Sequence, residues 1–167
     1  NEELYVYGAE KVVSVSNDSL ATFNAKVYAS VIKQVANAQG ASVVIFDSSI
    51  DGLFVAPMIA VALDAGYASN TVALPSSIDP FTVKRKAFSS KAFSNTIISS
   101  DKKVIGVSKN SYGIHENPVS GVTEIFDATL SDTDLGVTSL KVERVTGQVT
   151  IADADTVVSA GRGLKGP

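Results

Sequence analysis

Apolar side chains recur every three or four positions between residues 22 and 38, and polar residues occupy the opposite face. This spacing predicts an amphipathic helix whose apolar stripe packs against a core. Ser19 or Thr22 is the candidate N-cap. Gly40 is expected to end the helix, because glycine readily adopts the left-handed backbone that follows a helix.

An α/β pattern continues after this helix. Residues 41–46 form a short β-branched run, which is typical of a strand buried on both faces in a parallel sheet. Residues 47–52 carry the Asp, Ser and Gly that favour a turn. A second helix is predicted over residues 55–65, with Pro57 in its first turn and Gly66 at its end.

Short runs rich in β-branched and aromatic residues, separated by turn residues, predict the remaining strands. These runs cover residues 71–74, 93–99, 103–108, 122–130, 139–145 and 156–160. Alternating strands and helices followed by consecutive strands indicate an α/β protein. We therefore expect a three-layer α/β/α fold with a mostly parallel sheet, plus an antiparallel β-meander in the second half.

Composition narrows the possible chemistry. The 167 residues suit one domain, and the net charge of −3 with a pI of about 5.1 disfavours a nucleic-acid partner. The absence of cysteine excludes disulfides, thiolate zinc sites and a thiol nucleophile. His115 is the single histidine, so sites that need two are excluded as well. An enzyme is disfavoured because so few groups could act as acid, base or nucleophile.

The sequence shows no targeting or membrane-spanning segment. Its start, Asn1–Glu3, is acidic, unlike a signal or transit peptide, and it lacks the initiating Met, so we expect a trimmed chain. The longest apolar stretch, residues 53–65, is interrupted by Pro57 and Asp64 and is too short to span a bilayer. We expect a soluble protein of the cytoplasm with no integral membrane segment.

Two groups of polar residues could bind a ligand. Asp47 and Asp51 follow a predicted parallel strand, at the sheet edge where α/β folds bind ligands, and could hold a ribose or a cation. Capping and Asx-turn roles are favoured for both. The cluster Lys84–Lys86 with Lys91 could meet an acidic partner or a phosphate, although a solvated surface is the favoured interpretation. His115 is expected to be a surface-loop residue.

A glycine-rich motif ends the chain. Gly161–Gly166 reads G-x-G-x-x-G after a predicted strand, and such glycines let backbone N–H groups approach a phosphate. Dinucleotide binding also needs a following helix, another strand and an acidic residue beyond it. The motif therefore leaves two interpretations, a dinucleotide site or a glycine-rich exit loop.

The residues around this motif resemble a known family. Residues 156–165, T-V-V-S-A-G-R-G-L-K, are similar to the V-V-S-G-G-R-G-L-K that joins the two domains of the electron transfer flavoprotein α subunit. Residues 52–63 resemble the family's G-R-D-L-A-P-R-V-A-A-R-L, with matches at Gly52, Ala56, Pro57, Ala60 and Leu63. Residues 88–92 resemble its Y-A-G-K-A, and residues 4–13 resemble a stretch ending in G-A.

This resemblance implies a component of an electron carrier. The family is a heterodimer with one FAD and one AMP, and it passes single electrons from flavoprotein dehydrogenases to an acceptor. The α subunit's first domain is a scaffold that docks the β-type subunit, and the second domain makes most flavin contacts. Arg162 matches the arginine that contacts FAD, and Gly161, Gly163 and Lys165 accompany it as cofactor-binding candidates. The AMP is expected on the partner subunit.

The resemblance also implies a domain division. We expect residues 1–154 to form the family's N-terminal domain, and residues 155–167 to hold its last strand and the junction to an FAD-binding domain that the chain lacks. The chain alone is therefore expected to lack FAD and not to be a catalyst. The family's charged residues in the 52–63 segment are replaced by Leu53, Phe54, Met58 and Ala62. The alternative function is a stand-alone adenine-nucleotide-binding module, with its site near residues 47–52.

Overall fold

The computed structural model describes residues 2–143, 146–149, 151, 154 and 156–164. Two helices and eight strands lie within these residues. In chain order they are β1 (Lys11–Ser14), α1 (Ala25–Ala38), β2 (Val43–Asp47), α2 (Ile50–Ala62), β3 (Ala65–Thr71), β4 (Ser77–Ile78), β5 (Phe81–Ala87), β6 (Ala92–Ile98), β7 (Lys102–Val107) and β8 (Val122–Ile125). Short 3-10 helices cover Glu2–Tyr7 and Asp18–Leu20.

The strands form a mostly parallel core with antiparallel additions, which confirms the predicted α/β class. The larger sheet has the order β2-β7-β3-β5-β4, and β6 pairs with β5. β7 lies between β2 and β3 and is parallel to both. β4, β5 and β6 pair antiparallel, as expected of a meander, but they lie nearer the middle of the chain than predicted, because the later strand β7 joins the parallel core instead. A separate two-stranded sheet joins β1 to β8 in parallel.

Helix α1 occupies most of the segment that the apolar spacing predicts. Its N-cap is Asn24, not Ser19 or Thr22, because the Asn24 side chain accepts hydrogen bonds from the backbone N–H groups of Lys26 and Val27. An Asn side chain in this position satisfies donors that have no partner within the helix. Gly40 follows the helix with φ of +62°, as expected of a glycine at a helix end.

Helix α2 begins five residues earlier than predicted. Ser49 is its N-cap, and the Ser49 hydroxyl accepts a hydrogen bond from the backbone N–H of Gly52 at 3.1 Å. The segment 47–52, predicted as a polar turn, therefore includes the N-cap of α2 at Ser49 and the start of the helix from Ile50. Pro57 consequently lies inside the helix rather than in its first turn. The helix continues through Pro57 because its packing against α1 and the sheet outweighs the lost hydrogen bond.

The end of α2 and the start of β3 also differ from the prediction. The helix ends at Ala62, and Asp64 adopts a left-handed backbone with φ of +53°. Gly66 does not end the helix but lies within β3. A Cβ at Gly66 would lie 2.5 Å from Ile98 Cγ2, so this glycine permits a close approach between β3 and β6. β3 therefore occupies residues 65–71 rather than 71–74.

Several predicted strands in the second half are found and others are not. β6 and β7 agree with the runs at 93–99 and 103–108, and β8 is shorter than the run at 122–130. Residues 139–143 and 156–160 form no strand, and Leu140 and Val158 are 95% and 94% exposed. Residues 144 and 145 lie outside the described part. A β-branched run becomes a strand only where a neighbouring strand edge pairs with it.

The core divides into two apolar clusters that position the sheet. The larger one joins both helices to β7 and includes Ala29, Val55, Ile59 and Val104. The smaller one lies among β3, β5, β6 and β7, and it contains Ala68, Val83, Ile98 and Ile105. Burial of these side chains supplies the hydrophobic stabilisation that holds the carboxyl ends of β2, β7 and β3 in place.

Candidate functional site

Four residues form a row across the sheet at the carboxyl ends of its parallel strands. The register pairs Asp47 of β2 with Val107 of β7, Val107 with Thr71 of β3, and Thr71 with Arg85 of β5. Ligands of open α/β sheets bind at this edge. The row therefore places Asp47 where the sequence predicts it. It also adds Arg85, from the basic cluster that could meet an acidic partner or a phosphate but for which a solvated surface is the favoured interpretation.

Asp47 and Asp51 are both exposed and lie where β2 passes into α2. Ser49, not either aspartate, is the N-cap of α2. Asp51 lies in the first turn of α2, where a negative charge interacts favourably with the helix dipole. No group of acidic or histidine side chains suited to a metal ion is found in the part of the chain that the structure describes. A cation site at these two residues is therefore not supported.

A cluster of hydroxyl groups surrounds Gly106 beside this row. A Cβ at Gly106 would lie 3.1 Å from Ser48 Oγ, 3.3 Å from Ser69 Cα and 3.5 Å from the Tyr67 hydroxyl oxygen. Ser48 Oγ accepts a hydrogen bond from the backbone N–H of Asn70 at 3.3 Å. The absence of a side chain at Gly106 leaves room for the Ser48 and Tyr67 hydroxyls beside it.

The register of β3 shifts in this cluster. Between Ala68 and Thr71 the pairing with β7 is irregular, and Asn70 has φ of +56°. Asn is among the few side chains that adopt this left-handed backbone readily. A bulge of this kind redirects neighbouring side chains. Thr71 then resumes the ladder, and its buried hydroxyl donates a hydrogen bond to the Gly106 carbonyl at 3.0 Å.

Arg85 extends into this hydroxyl cluster from β5. Its Nη2 donates a hydrogen bond to Ser69 Oγ at 3.2 Å, whereas its Nε is buried and has no hydrogen-bond partner. Among the described residues no carboxylate forms an ion pair with Arg85. Burial raises the pKa of the Tyr67 hydroxyl, while the Ser69 hydroxyl and the charge of Arg85 partly oppose that effect. Tyr67 is therefore a protonated hydrogen-bond donor at neutral pH.

Two other members of the basic cluster, Lys84 and Lys91, lie on the β5–β6 hairpin and contact aromatic rings. Lys84 Nζ lies 4.6 Å from the centroid of the Phe93 ring, and Lys91 Nζ lies 5.8 Å from that of Phe88. These distances suit cation–π contacts at an exposed surface. Lys84 is exposed, which agrees with the solvated interpretation, but Arg85 departs from it because its guanidinium is partly buried.

The glycine–arginine segment lies at the surface. The Leu164 backbone N–H donates a hydrogen bond to the Gly161 carbonyl at 3.1 Å, which closes a turn around Arg162 and Gly163. Residues 161–164 are exposed, and a Cβ at Gly161 or Gly163 would meet nothing within 4 Å. Lys165 lies outside the described residues. The structure brings none of Gly161, Arg162 and Gly163 to the sheet edge by any contact that it records, and His115 is likewise exposed in a loop.

In the segment 52–63, the positions that match the family are buried, and most of the positions that differ from it are exposed. Gly52, Ala56, Ala60 and Leu63, which match the family's segment, are all buried. The altered positions Leu53, Phe54 and Ala62 are exposed, and Met58 is half-buried. The resemblance is therefore retained where α2 packs against the sheet and α1. It is lost where charged side chains are replaced by apolar ones on the outer face.

An apolar cleft opens beside this outer face. Phe23, Phe54, Met58 and Val137 line it, and its volume is about 390 Å³. Val137 belongs to the segment that follows β8, and the Val137 carbonyl accepts a hydrogen bond from Asn24 Nδ2 at 2.8 Å. The cleft thus lies between the starts of both helices and the later part of the chain.

Sequence reasoning missed the cluster of Arg85, Ser69 and Tyr67. The predicted strand at 71–74 excluded Ser69 and Tyr67 from the sheet, so their proximity to Arg85 was not visible. An alternating pattern along residues 81–86 could have placed Arg85 on the inner face of the sheet. In this pattern Arg85 shares a face with Phe81 and Val83, and the other face carries Thr82, Lys84 and Lys86. Within the described residues, no helix combines the length and apolar character needed to cross a bilayer.

Comparisons with known proteins show the family of the chain. The family model described as "Electron transfer flavoprotein domain" matches residues 1–132. The electron transfer flavoprotein subunit alpha of Bacillus subtilis is 28% identical over 166 residues, which cover 98% of this chain and 51% of that protein. The subunits alpha of Thermoanaerobacterium thermosaccharolyticum and Syntrophomonas wolfei are 27% and 26% identical, over 100% and 99% of this chain and 52% of each relative. The chain spans about half the length of these relatives, and it belongs to the electron transfer flavoprotein domain family.

Proposed function

We propose that this chain is the N-terminal scaffold domain of an electron transfer flavoprotein α subunit and that it docks a β-type subunit. Its role is to support FAD-dependent single-electron transfer from flavoprotein dehydrogenases, as an electron-carrier component of the cytoplasm rather than a catalyst. The observation that carries the proposal is the coverage of the relatives, because nearly the whole chain aligns with half of each alpha subunit.

The retained core of α2 supports this assignment. Gly52 and Ala56 are buried, so their match to the family is a match of helix packing. Buried residues of a helix determine its position on the sheet. A scaffold domain depends on this packing, and it does not require catalytic side chains.

The outer face of α2 offers a docking surface for the β-type subunit. Phe54 and Val61 are 61% and 84% exposed, and Leu53 lies beside Phe54 at 44%. Apolar side chains clustered on a surface are typical of protein interfaces. Because this face carries apolar residues where the family has charged ones, we propose that hydrophobic contact replaces ionic contact with the partner.

The proposed role of the terminal segment is to contact FAD. Arg162 is exposed at the centre of a turn, so its guanidinium is free to bind a flavin carbonyl or a phosphate oxygen. Gly161, Gly163 and Lys165 would accompany it, and FAD would be held mainly by a second domain. AMP would be bound by the partner subunit.

The alternative is a stand-alone adenine-nucleotide module near residues 47–52, and it is favoured only by the position of Asp47 at the sheet edge. A phosphate cradle needs glycines with open space beside their backbone. Gly52 has none, because a Cβ there would already lie 2.9 Å from the Asp47 carboxylate oxygen Oδ1. This glycine serves close packing between β2 and α2.

Thermal unfolding with and without the cognate β-type subunit tests the proposal. We expect a higher Tm in the mixture, because a partner that binds only the folded chain stabilises it. The double variant Leu53→Ser/Phe54→Ser should lose most of that rise, and Ile114→Ser, at a still more exposed loop position away from α2, should keep it. No rise with the β-type subunit but a rise with AMP alone would contradict the proposal and favour the nucleotide module.

A further inference from the structure

The guanidinium of Arg85 carries a positive charge that nothing in the described part of the chain neutralises. It makes one hydrogen bond, from Nη2 to Ser69 Oγ, and its Nε is buried without a partner. A buried charge is costly unless it is paired and hydrogen-bonded. An arginine that is partly withdrawn from water without a carboxylate therefore indicates a missing anion.

Neutral hydrogen-bond donors surround the same position. The hydroxyls of Ser48 and Tyr67 lie beside Gly106, where a Cβ would meet them at 3.1 and 3.5 Å, and the Ser69 hydroxyl accepts the hydrogen bond from Arg85 Nη2. Tyr67 and Ser69 both lie on β3, next to the irregular register that ends at Thr71. Asp47 is not part of this group, since it lies two strands away from Thr71 and three strands away from Arg85 in the row.

The position in the sheet is suited to a ligand. Arg85 pairs with Thr71 at the carboxyl end of β3, beside the carboxyl end of β7. This is the edge at which parallel strands present their loops to small molecules. An anion there would meet the planar fork of an arginine, which binds phosphate oxygens in pairs.

We propose that Arg85, with the hydroxyls of Tyr67 and Ser69, forms a binding site for a phosphate group. The guanidinium Nη atoms provide the charge, and the hydroxyls donate to the remaining phosphate oxygens. A phosphate suits this set better than a carboxylate because it has more oxygens to accept from several donors. The site is separate from Arg162 and does not depend on the proposed docking role.

Thermal unfolding in inorganic phosphate and in chloride at equal ionic strength tests the site. We expect a higher Tm in phosphate for the wild-type chain, since ligand binding to the folded state stabilises it. Phosphate also stabilises folded proteins in general through its exclusion from their surface. Arg85→Gln should therefore reduce the rise to that general part, and Arg85→Lys should reduce it less. The matched control Lys84→Gln removes the same charge from the adjacent exposed residue and should keep the difference in full.

An NMR titration of the wild-type chain with inorganic phosphate keeps the test decisive even if Arg85→Gln does not fold. We expect shifts at the Arg85 Nε–H and at the amides of Ser69 and Asn70. A parallel titration with AMP distinguishes a free phosphate from a nucleotide phosphate by which binds more tightly. The proposal is overturned if the wild-type Tm is the same in both salts, if Arg85→Gln keeps the rise, or if the shifts fall elsewhere.

Discussion

The α carbon of Gly52 packs directly against the backbone carbonyl of Asp47, where β2 passes into α2. A Cβ at Gly52 would overlap that carbonyl oxygen and would lie 2.9 Å from Asp47 Oδ1. Only glycine fits between the strand and the helix that follows it. This contact gives a physical reason for the family resemblance at Gly52, because the residue sets how closely α2 approaches the sheet.

Gly52→Ala should destabilise the chain even though alanine favours helices. Overpacking against backbone costs about 1–3 kcal/mol, and the carbonyl of Asp47 cannot rotate away. The gain in helix propensity offsets about 1 kcal/mol of that cost. We expect a net loss of up to about 2 kcal/mol in the free energy of unfolding, measured by urea denaturation.

Gly136→Ala is the control for Gly52→Ala, because a Cβ at Gly136 would lie at an ordinary 3.5 Å from the Thr133 carbonyl. It should change stability by less than about 0.5 kcal/mol. Equal effects of the two substitutions would mean that α2 does not approach β2 as closely as described.

Ile59→Ala should be the most destabilising single truncation in α2. Ile59 is 0% exposed and belongs to the cluster that joins both helices to β7. Removing it leaves a cavity between the helices and the sheet, at a cost of about 2–5 kcal/mol. Val61→Ala, on the outer face at 84% exposure, should cost less than about 0.5 kcal/mol in the same urea measurement. A larger loss of unfolding free energy for Val61→Ala than for Ile59→Ala would mean that Val61, and not Ile59, lies on the buried face of α2.

The Lys11–Glu124 pair gives a prediction about pH. Lys11 Nζ lies 3.0 Å from Glu124 Oε2, and this hydrogen bond, followed by the charge of Lys11, lowers the pKa of Glu124. The Glu124 pKa is thus lower in the folded state than in the unfolded state. Its contribution to stability is present above the unfolded pKa and is lost as the pH falls through the folded pKa. Because both side chains are exposed, the contribution is small and is screened by salt.

Lys11→Gln should raise the pKa of Glu124 toward its ordinary value, as followed by NMR titration of the Glu124 carboxyl carbon. Lys91→Gln, which removes the same charge from the β5–β6 hairpin, should leave that pKa unchanged. A Glu124 pKa that stays low in Lys11→Gln would mean that Lys11 is not the cause of its depression.

The parts of the fold that follow from local periodicity could be predicted from the sequence. The apolar stripe of α1 and the β-branched runs of β2, β6 and β7 identify those elements within a few residues, because each side-chain pattern matches a single period. The order of strands and helices then led to the α/β class. The resemblance to the family was also visible in the sequence, and the match over residues 1–132 confirms it.

The features that depend on long-range contacts could not be predicted. Gly66 resembles a helix stop in the sequence, but its reason is the approach of Ile98, 32 residues later, so the start of β3 was misplaced. Residues 156–160 have strand propensity without a partner strand. The cluster at Arg85 depends on the pairing of β3 with β5, which consists of the single residue pair Thr71 and Arg85. No local sequence pattern indicates this pairing.

Sedimentation equilibrium of the purified chain with an equimolar amount of its β-type subunit tests the docking role most directly. We expect one species at the summed mass of the two chains. For Leu53→Ser/Phe54→Ser we expect the equilibrium to shift toward the separate chains. Two independent species for the wild-type chain would contradict it.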